Sequence, residues 1–182
     1  MDDISKKLAI SKKTIYQYYR DKDEIVCLVT ERVMEREQEH ITMIQAEAKD
    51  AIHELNLISR YIRQHGQNVN PSVLFDLQKY HRSAWGIYLK FKESVFINSL
   101  KSTLQRGVSE GFFRKEIDIE VLAILRLEQI QLAYDNDVYP REKFDFREVQ
   151  LQLFEHFVYG ILTPKGIETL RTYQENANSN VL

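Results

Sequence analysis

The 182-residue chain is poor in residues that turn a backbone sharply, with six glycines and three prolines. That scarcity argues against many-stranded sandwiches and barrels, and against the glycine-rich loops of nucleotide-binding folds. The lone cysteine, Cys27, excludes an intrachain disulfide and a cysteine-built zinc cluster, and fits a reducing compartment. No run of ~18 apolar residues is present, and the charged N-terminus lacks the basic-then-apolar order of a secretory signal. The expectation is a cytoplasmic protein that does not span a membrane. Also missing are a P-loop, a G-x-S-x-G elbow and an H-E-x-x-H zinc motif. What is present is 43% hydrophobic and 29% charged, a balance that suits one buried core built from long helices.

Charge is unevenly placed. Residues 1–22 carry a net +3, and the remaining 160 carry −5. A small basic head on an acidic body implies that the head meets an anion.

No glycine or proline precedes Gly66, yet two polar breaks interrupt the first 65 residues. Ile4 and Leu8 stand one helical turn apart, with Asp2 or Asp3 as the expected N-cap. After Ser11, itself a good N-cap, Ile15 and Tyr19 repeat the spacing. A long helix follows from Asp23, with a charged, exposed stretch from Glu35 to His40 bridging head and body. Further helices are expected over 51–63, from Pro71, and over 85–104, 119–134, 146–161 and 166–174. The expected architecture is all-α: a helix-turn-helix head (1–24), a larger bundle (25–175) and a polar tail (176–182).

Two short helices joined by a tight turn are the arithmetic of a helix-turn-helix. On a helical wheel Ile15, Tyr18 and Tyr19 can share the inner face, while Lys13, Tyr16 and Gln17 point outward. A cation, a phenol and an amide are groups that hydrogen-bond phosphates and base edges. Lys12, Lys13 and Thr14 fill the first turn, whose free backbone N–H groups favour phosphate. Lys22 is placed to clamp a second phosphate. The alternative is a hairpin whose lysines are merely solvated and whose tyrosines pack.

The stretch from Asp3 to Ile25 resembles the DNA-binding motif of the TetR family of bacterial repressors, through Ser11-x-x-Thr14-Ile15-Tyr16-x-x-Tyr19-x-x-Lys22. The resemblance implies contacts to double-stranded DNA from Lys12, Lys13, Thr14, Tyr16, Gln17, Tyr18 and Lys22. It also implies a helical body that dimerises through its last two long helices and binds a small-molecule inducer. Gly107-Val108-Ser109-Glu110-Gly111-Phe112-Phe113-Arg114 is similar to the turn before those helices. Two departures stand out. Ala9 occupies a position where the family usually has glycine, and the family's first helix, roughly twenty residues, would precede Met1.

In the body, the apolar positions of the helix from Phe146 span about 200°, against ~100° for a helix covered on one side. That excess predicts contact with both its own core and a second copy. The expected partner-facing residues are Val121, Leu125, Leu132, Phe154, Phe157, Val158 and Ile161. Glu128 lies among them, either countering a cationic ligand or meeting an arginine such as Arg126 or one across the dimer. His81, Trp85 and Tyr88 form one aromatic stripe, Tyr61 and His65 a smaller one. Each is either core or the lining of an effector pocket, so these five and Glu128 are the candidate ligand residues. No cofactor is expected. The reading that emerges is a ligand-responsive, DNA-binding homodimer with no enzymatic activity. One alternative is a protein-interaction bundle without DNA binding. A more distant one is a di-metal carboxylate enzyme using Glu37-x-x-His40 and Asp50-x-x-His53.

Overall fold

The computed structural model describes residues 1–70 and 72–179. They form ten α-helices: α1 (Asp2–Leu8), α2 (Lys12–Tyr18), α3 (Lys22–Glu47), α4 (Ala51–His65), α5 (Val73–Tyr80), α6 (Arg82–Phe91), α7 (Asn98–Ser109), α8 (Ile119–Leu132), α9 (Phe146–Ile161) and α10 (Pro164–Ser179). Among the described residues there is no strand beyond one isolated bridge, Phe113 to Leu162. No helix among them is long and apolar enough to cross a membrane.

Local chemistry explains half of the helix starts. Ser11, Asp21, Asp50, Asp118 and Asp145 each accept a backbone N–H from the first turn of the helix they precede, satisfying donors that have no partner inside the helix. Helix α1 departs from expectation. Met1 holds the cap position without a side-chain bond, and Asp2 and Asp3 lie in the first turn. Its last residue is followed by Ala9 in the left-handed region, φ 53°.

The expected helix over 85–104 is longer and interrupted. It starts at Arg82 and passes through a π-helical turn, Lys92–Ile97, before continuing as α7. The extra residue of such a turn re-aims side chains, and here Phe91 and Phe96 meet edge to face at 5.0 Å. The last helix is also longer than expected, running over the start of the anticipated polar tail to Ser179. Residues 180–182 of that tail, and Pro71 at the expected start of α5, lie outside the described residues.

The main core joins α4, α7, α8, α9 and α10 through Ile52, Leu104, Phe157, Val158 and Leu170, among others. The turn after α7 closes it. Gly107 lies against the Phe113 ring, so close that a Cβ there would come within 2.0 Å of it, and Gly111 has φ +77°. Thr163 donates its N–H to the Phe112 carbonyl and Arg114 donates to that of Ile161, which fixes the turn to the α9–α10 junction. Helix α3 leaves the head and packs along α4 and α6, so it is the element that joins head to body.

Candidate functional site

The Ser11 hydroxyl accepts the Thr14 N–H at 3.0 Å, and its oxygen lies 2.8 Å from that of Thr14. This fixes the first turn of α2. Ile15 then points inward, 4% exposed, and anchors the helix. Lys13, Tyr16, Gln17 and Tyr18 all remain exposed. Tyr18 is 78% exposed, so its expected packing beside Ile15 does not occur, and Tyr19 is only partly covered at 38%. The reason is geometric: α1 packs against α2 and leaves the side that carries Tyr18 open. Leu8, 60% exposed, lies on the same thinly covered head.

The cations of the head are not equivalent. Lys12 Nζ is 2.5 Å from the Asp2 carboxylate. This hydrogen-bonded pair holds the carboxyl of Asp2 below its usual range and raises the ammonium of Lys12. Lys13 and Lys22 are exposed at the starts of α2 and α3. Next to Lys22, Asp21 accepts the N–H of Glu24 at 2.8 Å and the Arg20 guanidinium at 3.0 Å, which together hold its carboxyl low.

The six candidate ligand residues fall into two separate groups. Tyr61 meets His40 (4.9 Å) and His65 (4.4 Å) with tilted rings and donates its hydroxyl to Glu37 at 3.2 Å. Burial, then the nearby Glu37, pushes its phenol up to about 12. The second group is around α6. His81 Nδ1 lies 2.5 Å from Asp23, Trp85 stacks on Tyr88 at 5.1 Å, and the Tyr88 oxygen accepts from Gln131 at 2.6 Å. Glu128 is exposed and takes Lys92 at 2.6 Å, rather than Arg126. The residues considered for a di-metal site have other work: Asp50 caps α4, and His53 accepts the Lys49 N–H at 3.2 Å. Among the described residues no group of three His, Cys, Asp or Glu is arranged to hold a metal ion.

The expected partner-facing residues also divide. Val121, Leu125 and Leu132 are 58%, 45% and 38% exposed, with Ile124 beside them at 43%. At 100° per residue these four positions fall within about 100° of one another, a single outward stripe on α8. Phe154, Phe157, Val158 and Ile161 are instead buried in the main core of the chain itself. The wide apolar arc of α9 is filled by α4, α8 and neighbouring helices of the same chain, which removes the reason for assigning those four to a partner. A shallow groove of about 130 Å³ between α8 and α9 is lined by Leu125, Gln129, His156 and Gly160, among others. None of the six candidate ligand residues lines it.

Two buried polar features gave no signal in the sequence. Glu54, 3% exposed, accepts Thr103 Oγ1 at 2.6 Å and lies 3.6 Å from Arg106, which also holds Glu110 at 2.7 Å. Arg126, also 3% exposed, has its guanidinium over the rings of Phe154 (5.4 Å) and Phe157 (5.7 Å). Burial, and secondarily Arg63, lowers its pKa to about 10.

This arrangement, a short helix-turn-helix on a bundle whose last long helices pack as a pair, is the fold of the TetR-type transcriptional regulators. A TetR-family regulator from Agrobacterium tumefaciens superposes with a TM-score of 0.76 at 14% identity, over 89% of this chain and 86% of that one. FadR from Bacillus subtilis, solved in complex with stearoyl-CoA, gives 0.67 at 19% identity, over 88% and 87%. In sequence, the chain is 23% identical over 165 residues to the uncharacterized HTH-type transcriptional regulator YvaF of Bacillus subtilis, covering 88% of this chain and 84% of that protein. No family model matches the chain.

Proposed function

We propose that the chain is a DNA-binding transcriptional regulator that acts as a two-fold homodimer and changes its DNA affinity on binding a small molecule. The observation that carries DNA reading is the exposed face of α2, where Lys13, Tyr16, Gln17 and Tyr18 are all open while Ile15 alone is buried. An exposed amide and phenol beside a free ammonium are poor packing material and good partners for base edges and phosphates. Lys22 adds a backbone clamp one helix further on, whereas Lys12, paired to Asp2, contributes less. The basic head supplies the electrostatic part of the binding, and a cytoplasmic location follows from this role.

The apolar stripe of Val121, Ile124, Leu125 and Leu132 supports the homodimer, since side chains of this size lined along one helix face are better covered than solvated. Two heads related by a two-fold axis read a near-palindromic site. Effector response is supported by the likeness to a regulator solved with an acyl-CoA. Selection of sheared genomic DNA by the full chain tests the reading. Enrichment of one palindromic sequence, lost in a Lys13→Ala/Tyr16→Ala variant and weakened by salt, is the expected result. If nothing is enriched at low salt, the protein-interaction reading takes its place.

A further inference from the structure

Helix α8 has two faces of opposite character. Its outward stripe is apolar apart from Glu128, which is paired with Lys92, whereas its inward face, where Ala123 and Leu127 enter the core, carries a guanidinium. Arg126 is 3% exposed, and its Nη1 atom has no hydrogen-bond acceptor among the described residues. Its neighbours are two phenylalanine rings and, further off, a second cation, Arg63, which donates to Ser59 at 2.5 Å. No ion pair joins Arg126 or Arg63 to a carboxylate among the described residues. A guanidinium nitrogen buried without an acceptor is poorly compensated, because burial removes its water and the aromatic faces return a small part of that hydration. One turn along, Gln150 donates to the Ile130 carbonyl at 2.9 Å and leaves its own Oε1 buried and unpaired.

We propose that Arg126 is the anchor for the anionic group, a carboxylate or a phosphate, of a small amphipathic effector bound inside the body. An oxyanion at Nη1 supplies the missing charge, and Phe154 and Phe157 flank the apolar part of the ligand. Gln150 Oε1 accepts from a hydroxyl or N–H of the same molecule. The inference rests on the effector-responsive reading above but specifies what that reading leaves open, the charge of the effector and the residue that holds it.

Thermal unfolding of the full chain with sodium octanoate, octyl phosphate and octanamide tests it, using the wild type, Arg126→Met and Arg126→Gln. The glutamine variant keeps a hydrogen-bond donor and guards against a packing failure in the methionine one. A bound anion at ~100 times its dissociation constant is expected to raise the wild-type midpoint by about 5–10 °C, while octanamide does not. The stronger of the two anions identifies the head group. Both variants are expected to lose that response, and Arg126→Met to melt above the ligand-free wild type because an unpaired buried charge has gone. If neither anion shifts the wild type, or octanamide shifts it equally, the anchor is refuted. It is equally refuted if Arg126→Met melts lower and keeps the response, which would mean that Arg126 is a structural group paired internally, with Gln150 for instance. DNA selection separates this from the parent reading. An operator bound equally by wild type and Arg126→Met with no anion effect leaves the regulator standing and removes the anchor. An anion response without any operator does the reverse.

Discussion

Ala9 holds the turn of the helix-turn-helix at φ 53°, a region that L-residues with a Cβ enter at a penalty of roughly 1 kcal/mol. Its N–H reaches the Lys6 carbonyl at 3.2 Å and that of Ile10 the Ser5 carbonyl at 3.1 Å, so the turn is a regular helix exit in which a glycine would sit without strain. Ala9→Gly is therefore expected to stabilise the head by about 0.5 kcal/mol, after subtracting the extra freedom glycine gives the unfolded chain. Slower hydrogen exchange of the α2 amides with unchanged exchange in α9 is the readout, and faster exchange in α2 would contradict it. Two residues further on, Ser11→Ala removes the acceptor for the Thr14 N–H and is expected to cost about 1 kcal/mol of α2 stability. DNA affinity should fall with it although the Ser11 hydroxyl is engaged within its own turn, and a variant with frayed α2 amides and full affinity would contradict that coupling. Both residues could be read from the sequence, Ser11 by type and Ala9 by its departure from the usual glycine. Tyr18 could not. The wheel places it 60° from Ile15, and only the packing of α1 on α2 decides that this side is left open.

At the scale of elements, legibility follows how one-sided each helix is. Helix α9 was readable to its ends because Asp145 caps it, Thr163-Pro164 closes it, and its apolar residues cluster. Helix α8 was not, since apolar residues occur on almost every side of it. Val121, Leu125 and Leu132, expected to face a partner, point outward, but the core-facing side includes Arg126, whose residue type gives no hint of burial. The π-helical turn at Lys92–Ile97 leaves no mark in residue type at all. The Glu54 cluster was hidden for another reason: Thr103 and Arg106 lie 49 and 52 positions away in the chain, and only the packing of α4 on α7 brings them together. Thr103→Val keeps the shape of the side chain and removes the 2.6 Å donor to a carboxylate that is 3% exposed. A loss of about 1.5–3 kcal/mol in urea unfolding is expected, the range for a hydrogen bond to a buried charged group. Thr103→Ser, which retains the hydroxyl, should recover most of it. Equal losses in the two variants would mean that the methyl group and not the bond carries the stability.

At the scale of the whole molecule, the body contains tyrosines whose ionisation opposes folding. Tyr61, Tyr88, Tyr134 and Tyr173 are each pushed up to about 12, with burial as the first cause in every case. A phenol whose pKa is higher in the folded state gives stability that is complete below its unfolded value of ~10 and is lost as pH rises towards 12. Arg126 acts in the other direction. Its folded pKa of about 10 lies below the ordinary 12.5, so the penalty for burying its charge is present at neutral pH and is relieved above pH 10. Four phenols outweigh one guanidinium, and the unfolding free energy is expected to hold steady from pH 7 to 9.5 and then fall steeply. Tyr88, 5% exposed, is the most enclosed of the four by accessible surface and contributes about 2 kcal/mol of that fall. Tyr88→Phe loses the bond from Gln131, which lowers stability at pH 8 by about 1 kcal/mol, but it has no proton to release. Its curve should start lower, decline less, and cross that of the wild type between pH 10 and 12 in urea titrations. Curves that stay parallel throughout would show that the phenol of Tyr88 ionises as readily in the folded chain as in the unfolded one.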